Sequence, residues 1–146
     1  MRAVIQRVSS ASVTVEQKII GQIEQGLLVL LGIHSSDTIE KLEWMASKIA
    51  RLRIFEDDEG KMNRSVQDVK GSILVVSQFT LYGDAKKGTR PSFIEAATPE
   101  LAIPLYEKCI ELLKNTHRLP VETGEFGAMM KVELINDGPV TIILEK

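Results

Sequence analysis

Ser77, Gln78, Phe79 and Thr80 place two hydroxyls and an amide at the end of an apolar run, Ile73 to Val76. Hydroxyls can attack a carbonyl or donate to a developing negative charge, and an amide can orient water. Past Gly83 and Asp84 lies a cationic stretch, AKKGTR, carrying Lys86, Lys87 and Arg90. Cations on such a loop can contact the phosphates of a nucleic acid. On this segment alone, a core strand followed by a turn and a solvated loop is the plainer account.

The neighbouring patterns narrow the chemistry. GDAKKGTR has the glycine spacing of a phosphate loop, but Gly88 is followed by Thr89-Arg90, so the loop lysine and its hydroxyl partner are missing. Nucleotide hydrolysis is therefore rejected. Ser77 is not in a G-x-S-x-G elbow, and no histidine is placed by sequence to activate it or Thr80. The only histidines, His34 and His117, have no nearby cysteine to complete a zinc set, so no metal is expected. DDEG at 57–60 is a turn and lacks the spacing of a calcium loop. Cys109 falls on the inner stripe of a helix and reads as a buried structural thiol. Asn136-Asp137-Gly138-Pro139 reads as a turn whose proline makes a cis peptide affordable.

These residues need supports. Ser72 to Leu81, SILVVSQFTL, predicts a strand buried on both faces that ends in polar groups held on a rigid base. Ala3–Val8, Ser12–Val15, Ile19–Ile23 and Leu27–Gly32 read as four strands on short connections, which argues an antiparallel start. Gly21 marks a bulge or a close approach. A helix follows, N-capped by Asp37 or Ser36, with Leu42, Met45, Ile49 and Leu52 along one face. Thr98-Pro99 opens a second helix with Leu101, Leu105, Cys109 and Leu112 inside, and Pro104 predicts a kink or a separate first turn. Strands are predicted at Leu119–Glu122, Met129–Ile135 and Val140–Leu144.

The chain of 146 residues fits a single domain, 1–146, and needs no staple to bury a core. At 44% hydrophobic and 26% charged it has the composition of a soluble protein. The net charge of -2 gives no overall attraction to nucleic acid, so any RNA surface must be a local patch. One cysteine, no apolar leader and no membrane-length run point to a cytoplasmic protein.

Together, SQFTL at 77–81, KGTRPSF at 87–93, FGAMM at 126–130 and NDGPVT at 136–141 resemble the D-aminoacyl-tRNA deacylase family over the whole chain. The resemblance implies an α+β fold: curved, mainly antiparallel β-sheets in a barrel-like sandwich, with two principal helices on one side. It implies a cytoplasmic homodimer that proofreads translation by hydrolysing the ester of D-aminoacyl-tRNA, with glycine mischarged on tRNA-Ala as a second substrate. No cofactor is implied. The strand end Ser77, Gln78, Phe79 and Thr80 would form the catalytic site. Gly138-Pro139 of the partner, in the cis form, would be inserted there to select chirality, braced by Arg7. Phe126 and Met130 would line the pocket of the terminal adenosine, and Lys86, Lys87 and Arg90 would contact tRNA phosphates.

That reading accounts for the missing nucleophile. An aminoacyl ester is already reactive and carries a vicinal ribose hydroxyl, so positioning water and stabilising the oxyanion suffice. Two other readings fit the same residues: a non-enzymatic RNA-binding dimer using the Lys86–Arg90 loop, and a small esterase with Thr80 as nucleophile.

Overall fold

The computed structural model describes Met1–Lys146. Its hub is β1, Arg2–Val15, a single strand of 14 residues. Along one edge it pairs with the 15-residue β8, Lys131–Glu145. Along the other it pairs antiparallel first with β3, Gly26–Gly32, and then with β2, Lys18–Ile23. The two strands expected at Ala3–Val8 and Ser12–Val15 are therefore one. Ser9 and Ser10, which look like a break, are where β1 exchanges β3 for β2 while β8 continues opposite.

β3 pairs in parallel with β6, Ser72–Ser77, and β6 in parallel with β7, Val121–Thr123. The sheet order is β2-β1-β3-β6-β7, with β8 on β1. The sheet is thus mixed, although most pairings are antiparallel. A short hairpin of β4, Phe55–Glu56, and β5, Met62–Arg64, closes around the DDEG turn.

Two helices cover one face: α1, Ile39–Arg51, and α2, Pro99–Glu111. Alternate residues of the central strands serve two cores, as the period of a strand requires. Ile5, Val29, Ile73 and Val75 pack under the helices. Val8, Leu28, Leu74 and Val76 fill the inside of the curl. The curl brings β2 towards β7, where a β-carbon on Gly21 would stand 2.5 Å from the Thr123 carbonyl oxygen. Glycine is what lets those edges meet, the close approach expected for it.

Helix details differ from expectation for physical reasons. Asp37 does not cap α1. It is buried, and it accepts from the Met1 amine at 2.6 Å and the His34 N–H at 2.7 Å, so Thr38 stands at the N-cap. α2 runs unbroken through the exposed Pro104. The hydrogen bond that proline removes would end on Glu100, in the exposed first turn, where it matters least. The inner stripe of α2 is Ala102, Leu105, Tyr106 and Cys109, followed by Leu113. Leu101 faces solvent and Leu112 is only half-buried. The stripe is turned by one residue because Tyr106 uses its hydroxyl to reach the Val75 carbonyl at 2.8 Å. α2 ends in a wide π turn, Leu112–Thr116. No helix is long and apolar enough to cross a membrane.

Candidate active site

β6 ends with Ser77 beside Leu31 of β3, and the Gln78 N–H continues the ladder to the Leu31 carbonyl at 2.8 Å. A 3-10 turn then runs from Phe79 to Tyr82. Gly32 lets this turn cross the end of β3, since a β-carbon there would stand 3.1 Å from the Gln78 carbonyl oxygen. Tyr82 is buried against the edge of the His34 ring, with the Arg2 guanidinium 5.0 Å above it. Burial, and then the nearby Asp37 carboxylate, push the Tyr82 phenol up to about 12, so it stays neutral. The turn is pinned by its buried end and presents Phe79, 58% exposed, at the other.

Within the turn, Leu81 and Gly83 donate back to the Gln78 and Thr80 carbonyls. The N–H groups of Phe79 and Thr80, the first two of the turn, have no acceptor in the chain. The Gln78 amide donates to the Thr80 hydroxyl. His34 is occupied with Ser36. No base is hydrogen-bonded to Ser77 or Thr80.

A cleft of about 620 Å³ opens beside this strand end, walled mainly by apolar side chains. Ser77, Gln78 and Phe79 form one side, and Phe126 and Met130 form another. The second wall hangs on one atom of β6, because the Val75 carbonyl accepts from Tyr106 Oη at 2.8 Å and from the Gly124 N–H at 3.0 Å. The Phe126 ring rests 5.8 Å from that of Tyr106, and Met130 folds its sulfur over Gly124. Thr80 is exposed and is not among the residues lining the cleft.

Phe93 and the start of α2 complete the rim, and the sequence reading gave neither a role. Phe93 lies inside the KGTRPSF motif, so a signal was present. It packs edge-on against Phe79 with centroids 5.1 Å apart. Between them the Lys86–Arg90 loop is closed by two backbone hydrogen bonds of 2.8 Å linking Asp84 and Ser92. Lys86, Lys87 and Arg90 are exposed and make no ion pair within the chain.

Arg7, Gly138 and Pro139 lie elsewhere. NDGP is not a turn between two strands but a bulge inside β8. Gln6 faces Thr141 and Val8 faces Asn136, so four residues of β8 oppose Arg7 alone. The Arg7 guanidinium fills the space. Its Nε donates to the Asp137 carbonyl at 3.0 Å and its Nη1 to the buried Ile54 carbonyl at 2.7 Å. The Asn136 side chain closes the bulge by accepting from the Val140 N–H at 2.9 Å. The Gly138-Pro139 peptide is cis, and both residues are exposed and outside the cleft of their own chain.

Comparison with known proteins agrees along the whole length. The profile of the family described as D-Tyr-tRNA(Tyr) deacylase matches residues 4–145. A protein of Exiguobacterium sibiricum named D-aminoacyl-tRNA deacylase is 61% identical over 146 residues, covering 100% of both chains. One of the same name from Chloroherpeton thalassium is 61% identical over 145 residues, covering 99% of this chain and 95% of its own. A solved structure named c-Myc DNA Unwinding Element Binding Protein superposes with a TM-score of 0.95 at 48% identity, covering 100% of this chain and 99% of its own. The structure of a probable eukaryotic D-amino acid tRNA deacylase, 18% identical, shares the fold at a TM-score of 0.84, covering 98% of this chain and 97% of its own.

Proposed function

The chain belongs to the D-aminoacyl-tRNA deacylase family, ester hydrolases acting on D-aminoacyl-tRNA, and from that premise we propose how its residues divide the work. The terminal adenosine enters the cleft between Phe126 and Met130, and its ester lies at the strand end Ser77, Gln78, Phe79 and Thr80. The free N–H groups of Phe79 and Thr80 stabilise the oxyanion. The vicinal ribose hydroxyl assists the attacking water, in place of a side-chain base. Lys86, Lys87 and Arg90 hold phosphates of the 3′ end.

Chirality is read by a second copy of the chain. The observation that carries this reading is the Gly138-Pro139 bulge: it is exposed, stiffened by Arg7, and outside the cleft of its own chain. Its neighbours on β8, Ile135 and Ile143, are 62% and 65% exposed, which suits an apolar contact between subunits. In the homodimer the partner's bulge closes the cleft, and its rigid backbone clashes with an L side chain at Cα. A D side chain meets no such clash, nor does glycine, which makes glycyl-tRNA-Ala a second substrate.

The test is deacylation of D- and L-aminoacyl-tRNA by the purified protein, with small non-RNA esters as a control. Release from the D form with sparing of the L form is expected. Release from both stereoisomers, or ready cleavage of the small esters, overturns the chiral mechanism. A monomer with full chiral selectivity overturns the role of the partner.

A further inference from the structure

Phe79 and Phe93 are the exposed aromatic pair of the cleft rim, at 58% and 37% exposure. The edge-on geometry covers at most one ring face of the four, so planar apolar surface stays open. Phe93 is held against the turn: its Cε1 stands 2.9 Å from where a β-carbon on Gly83 would sit, so only glycine there leaves the ring room. The Asp84–Ser92 hydrogen bonds hold both feet of the cationic loop beside these rings. The arrangement is therefore two open ring surfaces next to Lys86, Lys87 and Arg90, none of which has an anionic partner in the chain.

We propose that Phe79 and Phe93 form a stacking shelf for the unpaired nucleotide that precedes the terminal adenosine, with its phosphate taken by the loop cations. Stacking rings beside a cationic backbone track are the two elements by which single-stranded nucleic acid is held without reading its sequence. The inference rests on the reading that the tRNA 3′ end enters this cleft. It adds a second nucleotide subsite, built from a residue of the KGTRPSF motif, and it explains why apolar rings stand open beside lysines.

The test uses an uncharged minihelix RNA with the unpaired 3′ end of tRNA, and the same RNA with an abasic residue at the penultimate position. Binding of both is measured with wild type, Phe93→Leu and Phe93→Tyr. Wild type is expected to lose about tenfold in affinity on the abasic RNA. Phe93→Leu is expected to lose a similar factor on intact RNA and little more on the abasic one, because ring and base are halves of one contact. Phe93→Tyr keeps the ring and restores the difference. Equal binding of the two RNAs by wild type overturns the shelf, as it would if a partner subunit covered both rings. Losses that simply multiply in Phe93→Leu overturn it too, by making Phe93 a support for the turn. Failure of wild type to bind even the intact RNA overturns the parent reading and the shelf together.

Discussion

Arg7 and Gly138 touch so closely that a β-carbon on the glycine would stand 3.0 Å from Arg7 Nη2. It would also meet Val140 Cγ2 at 2.7 Å, on a backbone with φ of +131° that side chains rarely adopt. Gly138→Ala is therefore expected to strain or displace the bulge by about 1–3 kcal/mol while leaving the rest of the sheet intact. If the bulge screens substrates, the variant loses discrimination against L-aminoacyl-tRNA more than it loses folding. Circular dichroism with parallel D- and L-deacylation rates checks this, and unchanged discrimination counts against the screen.

Arg7 is nearly buried and satisfies two backbone carbonyls. Arg7→Ala removes both bonds and leaves the Ile54 carbonyl unpaired in the interior. The expected loss is roughly 3 kcal/mol, or a fall in Tm of about 6–12 °C. Arg7→Lys keeps the charge but not the fork, and should recover only part of the loss. Thermal unfolding of the two variants measures both effects.

Ser77 and Thr80 have no base beside them, so neither is expected to be an obligatory nucleophile. Ser77→Ala and Thr80→Ala should each slow single-turnover deacylation by less than about tenfold. Replacing the vicinal ribose hydroxyl by hydrogen should cost about a hundredfold or more. A covalent aminoacyl ester trapped on either residue would show the opposite.

Neutralising Lys86, Lys87 and Arg90 together should raise KM with little change in kcat. If each cation meets one phosphate, the slope of log KM against log salt should flatten by ~2. An unchanged slope would assign tRNA binding to another surface.

Cys109 has no exposed surface, and burial pushes its thiol up to about 12. It should resist thiol reagents at pH 8 until the protein unfolds. In the unfolded chain the thiol ionises near its ordinary value of about 8.5. Between there and 12 the folded state holds a proton that the unfolded state has lost, so stability falls as pH rises. Cys109→Ala should flatten that alkaline decline in denaturant titrations followed from pH 8 to pH 11.

Much of this was legible from composition and motif. The two-faced strand at Ile73–Val76, the Thr98-Pro99 helix start and the burial of Cys109 follow from local chemistry. The junctions were not legible, because they depend on distant partners. Ser9-Ser10 reads as a break until β8 is seen bridging it, and NDGP reads as a turn until Arg7, some 130 residues earlier, is seen filling the bulge. Asp37 reads as a cap, but its partner is the amine of Met1. Within the site, the motifs located Ser77–Phe79, Phe126 and Met130 in one cleft. Phe93 was given no role although it ends the KGTRPSF motif, because its contact with Phe79 forms only when the intervening loop closes.

The pairing of β1 with β8 sets the order in which the molecule can assemble. Arg2 lies opposite Glu145 and Thr14 opposite Lys131, so this ladder joins the two most distant parts of the sequence. Contacts of such long range come late and slowly, because loop closure must precede any gain from them. A nascent chain can form β1, β3 and the helices, but one edge of β1 stays unpaired until the final strand arrives. The bulge that Arg7 braces is therefore completed in the same closing step as the sheet itself.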